Sequence, residues 1–340
     1  MNKRAVLNLS VYSLLHFAID LTCAWLLLSR VRPQSEIWGI AMLLYNYFAF
    51  AMQLPLGILA DRINRNSLFA SLGCIFVALG CFAGKFELAA AVLAGLGNGL
   101  FHVGGGLDTL HRRKEKCTPA GIFVAPGALG LWLGTRWGQN GMIPAVLGIA
   151  LLVFGIILPF VCKNKDPEGQ NAEFALPGKT ALPYLSAVFL FSVVVIRGFA
   201  GLIFNFEWKP EFALALILAV VLGKVAGGIS ADLIGSKKTA IFSLFASALC
   251  FVFASNPICG ILAVFLFNMT MPLTLTAAAD AFPGAKGMSF GLMTFGLFLG
   301  FLFVYFGFST ESTLLYALFA VLSLVLIVPG LILSERSVKK

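Results

Sequence analysis

Twelve apolar runs separated by short polar gaps account for nearly the whole chain. They lie at about 6–29, 37–59, 67–84, 88–109, 118–136, 141–162, 182–206, 211–232, 239–254, 257–279, 285–308 and 312–334. Runs of about this length (~18 residues) read as helices that cross a bilayer. The pattern therefore predicts an all-α membrane protein of twelve transmembrane helices with very little chain outside the membrane. The first run follows Lys3 and Arg4 and is not closed by a small-residue cleavage site, so it reads as a helix and not as a removed leader.

One polar gap breaks the monotony and occurs twice. Gly57-Ile58-Leu59-Ala60-Asp61-Arg62-Ile63-Asn64-Arg65 separates the second and third runs, and Gly228-Ile229-Ser230-Ala231-Asp232-Leu233-Ile234-Gly235-Ser236-Lys237-Lys238 separates the eighth and ninth. Gly, Ile, Ala, Asp and Ile recur at equal spacing, and basic residues close both copies. A repeat at this distance indicates duplication. The motif resembles the signature turn between the second and third helices of the major facilitator superfamily. Asn64 stands where that family has Gly, and Asn also tolerates a left-handed backbone. The resemblance implies a gating role for Gly57, Asp61, Arg62 and Arg65 and for their counterparts Gly228, Asp232 and Lys237. Asp61 and Asp232 are expected to favour the N-terminus of the helix that follows each turn.

Further repetition appears at an offset of 166 residues, where Phe101 meets Phe267, Gly121 meets Gly287, Gly130 meets Gly296, and Leu133-Gly134 meets Leu299-Gly300. The one sustained polar stretch, 163–180, lies between the two halves and reads as a flexible linker. The expected organisation is a six-helix bundle over 1–162, a linker over 163–180 and a second six-helix bundle over 181–340, with substrate bound between the halves.

Composition agrees with a membrane protein: 59% hydrophobic, 11% charged, mean hydropathy +0.94. Of the 24 Lys and Arg residues, 17 fall on the side shared by both termini, five on the other, and two, Arg197 and Lys224, inside runs. The positive-inside rule then predicts cytoplasmic termini in a cell (inner) membrane. The net charge of +9 is spread over many short loops, which argues against a nucleic-acid partner. The seven cysteines show no metal-ligand spacing and are expected to be reduced and buried; neither a metal site nor a cofactor is expected.

Several stretches narrow the resemblance to the fosmidomycin-resistance-like exporters. Leu15-His16-Phe17-Ala18-Ile19-Asp20 keeps the His and Asp of that branch's first helix, with Ile19 in place of Asn. Gly95, Gly97, Phe101 and His102 follow its fourth helix, with Val103 in place of Pro. Ile122-Phe123 with Gly127, Gly130 and Gly134 follows its fifth, whose glycine and proline pattern is also similar to an antiporter motif and so favours export.

Charged and amide side chains at bilayer depth are costly and mark function by default. The candidates are His16, Asp20, Gln53, Asn98, His102, Arg197, Lys224 and Asn268. The third, sixth, ninth and twelfth runs carry no charge, as expected of helices outside a central pathway. Asp20 and His16 are candidate proton carriers. Arg197, Lys224, His102, Asn98, Asn268 and Gln53 are candidate substrate contacts. Structural readings stand beside these: Asp20 paired with Arg197, histidines bonded within the bundle, and Asn98 and Asn268 as interhelical glue. No phosphate-cradling loop and no catalytic triad is present, so the chain reads as neither ATP-driven nor an enzyme. The expected function is proton-coupled transport, in the export direction, of a small organic anion or amphiphile by a monomer. Metabolite uptake, efflux of cationic drugs, and a transporter-like sensor are the alternatives.

Overall fold

A computed structural model of the chain describes residues 3–32, 36–83, 85–139, 145–162, 173–178 and 180–338. Twelve helical spans cross the molecule among these residues: α1 Lys3–Val31, α2 Trp38–Ile63, α3 Asn66–Cys81, α4 Glu87–Arg112, α5 Thr118–Gly138, α6 Ala145–Val161, α7 Leu182–Ile203, α8 Ala213–Ile234, α9 Ser236–Val252, α10 Pro257–Ala281, α11 Lys286–Tyr305 and α12 Thr313–Val338. No strand occurs among them. Eight spans are long and apolar enough to cross a membrane, and α3 and α6 are shorter apolar helices. In α5 glycine, proline and Arg136 dilute the hydropathy, and α9 opens with Lys237 and Lys238.

The elements match the apolar runs to within a few residues, with three departures. In α1 and α2 the helix widens into single π turns at Leu27–Val31 and Tyr47–Ala51. In α10 the helix is interrupted at Met269, between Asn268 and Thr270. Finally, α2 and α8 continue through the repeated polar motif to Ile63 and Ile234, so Asp61 and Asp232 lie in the last helical turn and not in a loop. The turn itself is only Asn64–Arg65 in the first copy and Gly235 in the second. Asn64 has φ 55° and ψ 42°, and Gly235 has φ 90°. These two residues are equivalent in the repeat, and each takes the positive φ that ends its helix.

Two large apolar cores form, with a small third cluster of Ala187, Ala281, Phe282 and Ala285. One is built mainly from α1 to α6 and takes in Leu275, Ala279 and Phe290 from α10 and α11; the other is built mainly from α7 to α12 and takes in Cys117. Glycine brings helices into backbone contact within each core. A Cβ on Gly134 would lie 2.2 Å from the Leu21 carbonyl oxygen, and one on its repeat partner Gly300 would lie 2.5 Å from the Phe199 amide nitrogen. The α1–α5 and α7–α11 pairs thus use the same close approach. Large apolar side chains on α6, α9 and α12, among them Phe160, Phe245 and Val325, point outward without cover, as a lipid-facing wall requires.

Most of the expected linker, 163–172 with Lys179, lies outside the described residues. Its end is docked, contrary to a wholly flexible reading: Ala175 donates its amide to the Gly284 carbonyl at 3.1 Å, and Arg62 sits 5.1 Å over the Phe174 ring.

Candidate functional site

Between the two cores lies a cavity of about 210 Å³. His16, Asp20, Gln53, His102, Arg197 and Lys224 line it with Thr274, Thr294 and an apolar wall that includes Phe50, Leu131, Phe290 and Leu297. A second, more apolar cavity of about 420 Å³ shares Asp20, Phe50, Leu131 and Leu297 with it. It continues past Trp38, Met42, Leu28, Phe301 and Val304 toward the end opposite the repeated motif. Six of the eight polar candidates therefore face one space, although they come from α1, α2, α4, α7 and α8.

Three of them form a compact group. His16 and Asp20 are one helical turn apart on α1, with His16 Nε2 3.2 Å from Asp20 Oδ2. His102 on α4 places its Nε2 2.8 Å from His16 Nε2 and 4.0 Å from Asp20 Oδ1. The other nitrogen of each ring is committed. His16 Nδ1 lies 2.7 Å from the Phe123 carbonyl oxygen and His102 Nδ1 2.8 Å from the Asn98 carbonyl oxygen. A carbonyl only accepts, so both Nδ1 atoms carry hydrogen and donate. Two neutral rings would then turn lone pairs toward each other across 2.8 Å. The contact is favourable only when one proton lies between the Nε2 atoms, and the Asp20 carboxylate beside it balances that charge. Asn98 is set behind the cavity and donates its amide to Asp20 Oδ1 at 2.8 Å.

Gly127 on α5 makes room for this group. A Cβ there would lie 2.2 Å from His16 Nε2 and 2.4 Å from Asp20 Oδ2, well inside contact distance. Gly127→Ala is expected to displace both side chains while leaving the fold intact, because their cavity side can yield. The check is substrate flux beside the size-exclusion profile: flux at wild-type level in the variant would mean that the group's geometry is immaterial.

The two cations stand across the cavity. Arg197 and Lys224 are 9% and 8% exposed. Arg197 Nη1 donates to Thr274 Oγ1 at 3.1 Å, and Lys224 Nζ to the Val124 carbonyl at 3.2 Å. Among the described residues neither forms an ion pair, so the pairing of Asp20 with Arg197 weighed from sequence does not occur in this conformation. Gln53 is fully buried and donates Nε2 to the Ala49 carbonyl; its Oε1 has no hydrogen-bond partner among the described residues. Asn268 is placed elsewhere. Its amide donates to Val264 of its own helix at 2.8 Å, and it packs against Gly223 of α8. Thr274, which the sequence reading passed over, supplies the polar contact on α10.

The motif residues tie α2 to α11 and α8 to α5. Asp61 accepts from the amides of Gly287 and Met288, both at 2.8 Å, and so caps the N-terminus of α11 in the other half. Asp232 accepts from the amides of Cys117 and Thr118 at 2.6 and 3.1 Å, and from the Thr118 hydroxyl at 2.5 Å, capping α5. This corrects the expectation that each Asp serves the helix after its own turn: lying in the last turn of its helix, it points across the interface. Gly57 and Gly228 allow the approach, since a Cβ would lie 2.0 Å from the Gly287 carbonyl oxygen and 2.9 Å from that of Cys117. Arg113 and Asp280 add an ion pair between the halves. Of the basic motif residues, Arg62 covers Phe174, Lys237 pairs with Glu335 at 2.9 Å, and Arg65 immediately precedes α3.

No family model and no curated protein sequence matches the chain. Solved structures do. A point variant of the E. coli fucose:proton symporter FucP superposes with a TM-score of 0.70 at 11% identity, over 96% of this chain and 98% of that one. FucP described as a major facilitator superfamily transporter in the outward conformation gives 0.59 at 10% identity, over 93% and 98%. The chain has the major facilitator fold. With its apolar helices, it is an integral membrane protein.

Proposed function

We infer that the chain is a secondary active transporter of the major facilitator type. It moves a small organic anion with an apolar body by alternating access, coupled to protons. The observation that carries this reading is the pair of buried cations, Arg197 and Lys224, which form no ion pair among the described residues at the interface of the halves. A fixed charge at low dielectric is expensive unless something compensates it, and an anionic group entering the cavity would do so. The apolar cavity beyond Leu131 and Leu297 suits the remainder of such a molecule.

Asp20, His16 and His102 are the natural coupling group, since two imidazoles and a carboxylate within reach of one another can take up and release a proton in the same space. Export is the direction favoured by the glycine and proline pattern of α5. Symport is the second reading. Protonating the group removes negative charge from the cavity that the anion enters, which makes proton and anion binding mutually favourable.

Purified chain in liposomes, tested with a panel of amphipathic carboxylates and phosphonates under an imposed pH gradient, checks the proposal. Anion movement coupled to protons is expected, and the sign of the proton flux separates exchange from symport. Asp20→Asn should abolish accumulation against a gradient while leaving downhill exchange of the anion. No anion-dependent proton movement across the panel would leave the sensor reading instead.

A further inference from the structure

His16, His102 and Asp20 have a second property that goes beyond proton coupling and does not depend on transport. The geometry points to a divalent transition-metal site formed by His16 Nε2, His102 Nε2 and the Asp20 carboxylate. The three donor atoms lie within 4.8 Å of one another, with the nearest separations 2.8 and 3.2 Å. An ion bound tetrahedrally at about 2.0–2.2 Å to each ligand holds neighbouring donors roughly 3.3–3.6 Å apart. The His16–Asp20 separation already approaches this, so the site forms when His102 moves away from His16 and toward Asp20, now 4.0 Å away, by roughly half an ångström.

The surroundings are those a metal site needs. Each ring donates its Nδ1 hydrogen to a backbone carbonyl, that of Phe123 or Asn98. This fixes the tautomer that leaves Nε2 free to ligate and orients the ring. The carboxylate is held in turn by the Asn98 amide. Gly127 leaves the space beside both ligands free of a side chain. Two imidazoles and one carboxylate favour Zn²⁺, Co²⁺ or Ni²⁺ over Mg²⁺ and Ca²⁺, which take oxygen ligands. The remaining coordination positions face the cavity, where water completes the shell. An ion and a proton between the two Nε2 atoms would occupy the same gap and exclude each other.

Sequence spacing could not reveal this site. The ligands come from α1 and α4, 86 residues apart, and the metal-free expectation rested on the cysteines, none of which takes part.

The test uses full-length protein in detergent with its affinity tag removed, titrated with Co²⁺ and then Zn²⁺. One Co²⁺ per chain is expected, with ligand-field absorption that Zn²⁺ abolishes and millimolar Mg²⁺ does not. His16→Gln, His102→Gln and Asp20→Asn should each weaken binding by at least 10-fold. His111→Gln, which changes the one other histidine of the chain, should leave binding unaltered. A readout without variants guards against misfolding: Zn²⁺ should protect His16 and His102, and not His111, from diethyl pyrocarbonate in the native protein, as located by mass spectrometry. No saturable Co²⁺ absorption, or absorption that survives the double variant His16→Gln/His102→Gln, would overturn the site. Equal modification of both histidines with and without Zn²⁺ would do the same. A chain that binds the ion but moves no anion would remove the transport reading and leave this one standing.

Discussion

Replacing Arg197 or Lys224 by Gln is expected to weaken binding of an anionic substrate by about 100-fold while changing the affinity for a neutral analogue little. At an effective dielectric of ~20, a unit charge ~4 Å away contributes on the order of 4 kcal/mol. Some of this is returned as lost hydration of the substrate, so roughly 3 kcal/mol, or about 100-fold, is the reasonable expectation. Both side chains are buried and face the cavity, and neither forms an ion pair among the described residues. Gln keeps a donor for Thr274 or the Val124 carbonyl, so the variant isolates charge from packing. The same numbers disfavour cationic drugs, which would have to approach two fixed positive charges. Direct binding measurements with an amphipathic carboxylate and its uncharged amide decide the matter. Equal anion affinity in wild type and both variants would sink the assignment.

Much of the fold was legible because bilayer thickness imposes length and apolarity on each helix. Twelve runs became twelve helices with no strand between them among the described residues. The duplicated turn was legible too, because Asn64 and Gly235 are residue types that accept positive φ. What lies across the interface was not. The amides that Asp61 binds are more than 220 residues away, and nothing in a local motif names them. Within helices, polarity alone ranked Asn268 above Thr274. In an unbroken helix Asn268 would share a face with Met271 and Leu275, both of which line the cavity. The interruption at Met269 turns it toward Gly223 instead. The histidines were named from their helices, but the facing of their two Nε2 atoms depends on carbonyls of α4 and α5 that no spacing rule specifies.

Removing the two acidic caps is expected to move the conformational equilibrium as a whole. Each of Asp61 and Asp232 holds two backbone amides at the N-terminus of a helix in the opposite half, and both links lie at the end of α2 and α8 that carries the repeated motif. Hydrogen bonds to a charged group contribute roughly 1.5–3 kcal/mol each, and the helix dipole adds to them. Because these links break when the halves part at this end, their loss destabilises one state selectively, which is the condition for a population shift. A loss of about 3 kcal/mol per cap corresponds to about 100-fold in the ratio of the two states, and the pair together can invert it. Asp61→Ala should therefore lower turnover more than it lowers substrate affinity, and Asp61→Ala/Asp232→Ala should open this end at rest. Spin labels on Ile63 and Leu233, exposed at the ends of α2 and α8, report the separation directly. A longer-distance population should appear in the single variant and dominate in the double. Distance distributions identical to wild type in both, with unchanged turnover, would reduce the repeated motif to a marker of topology.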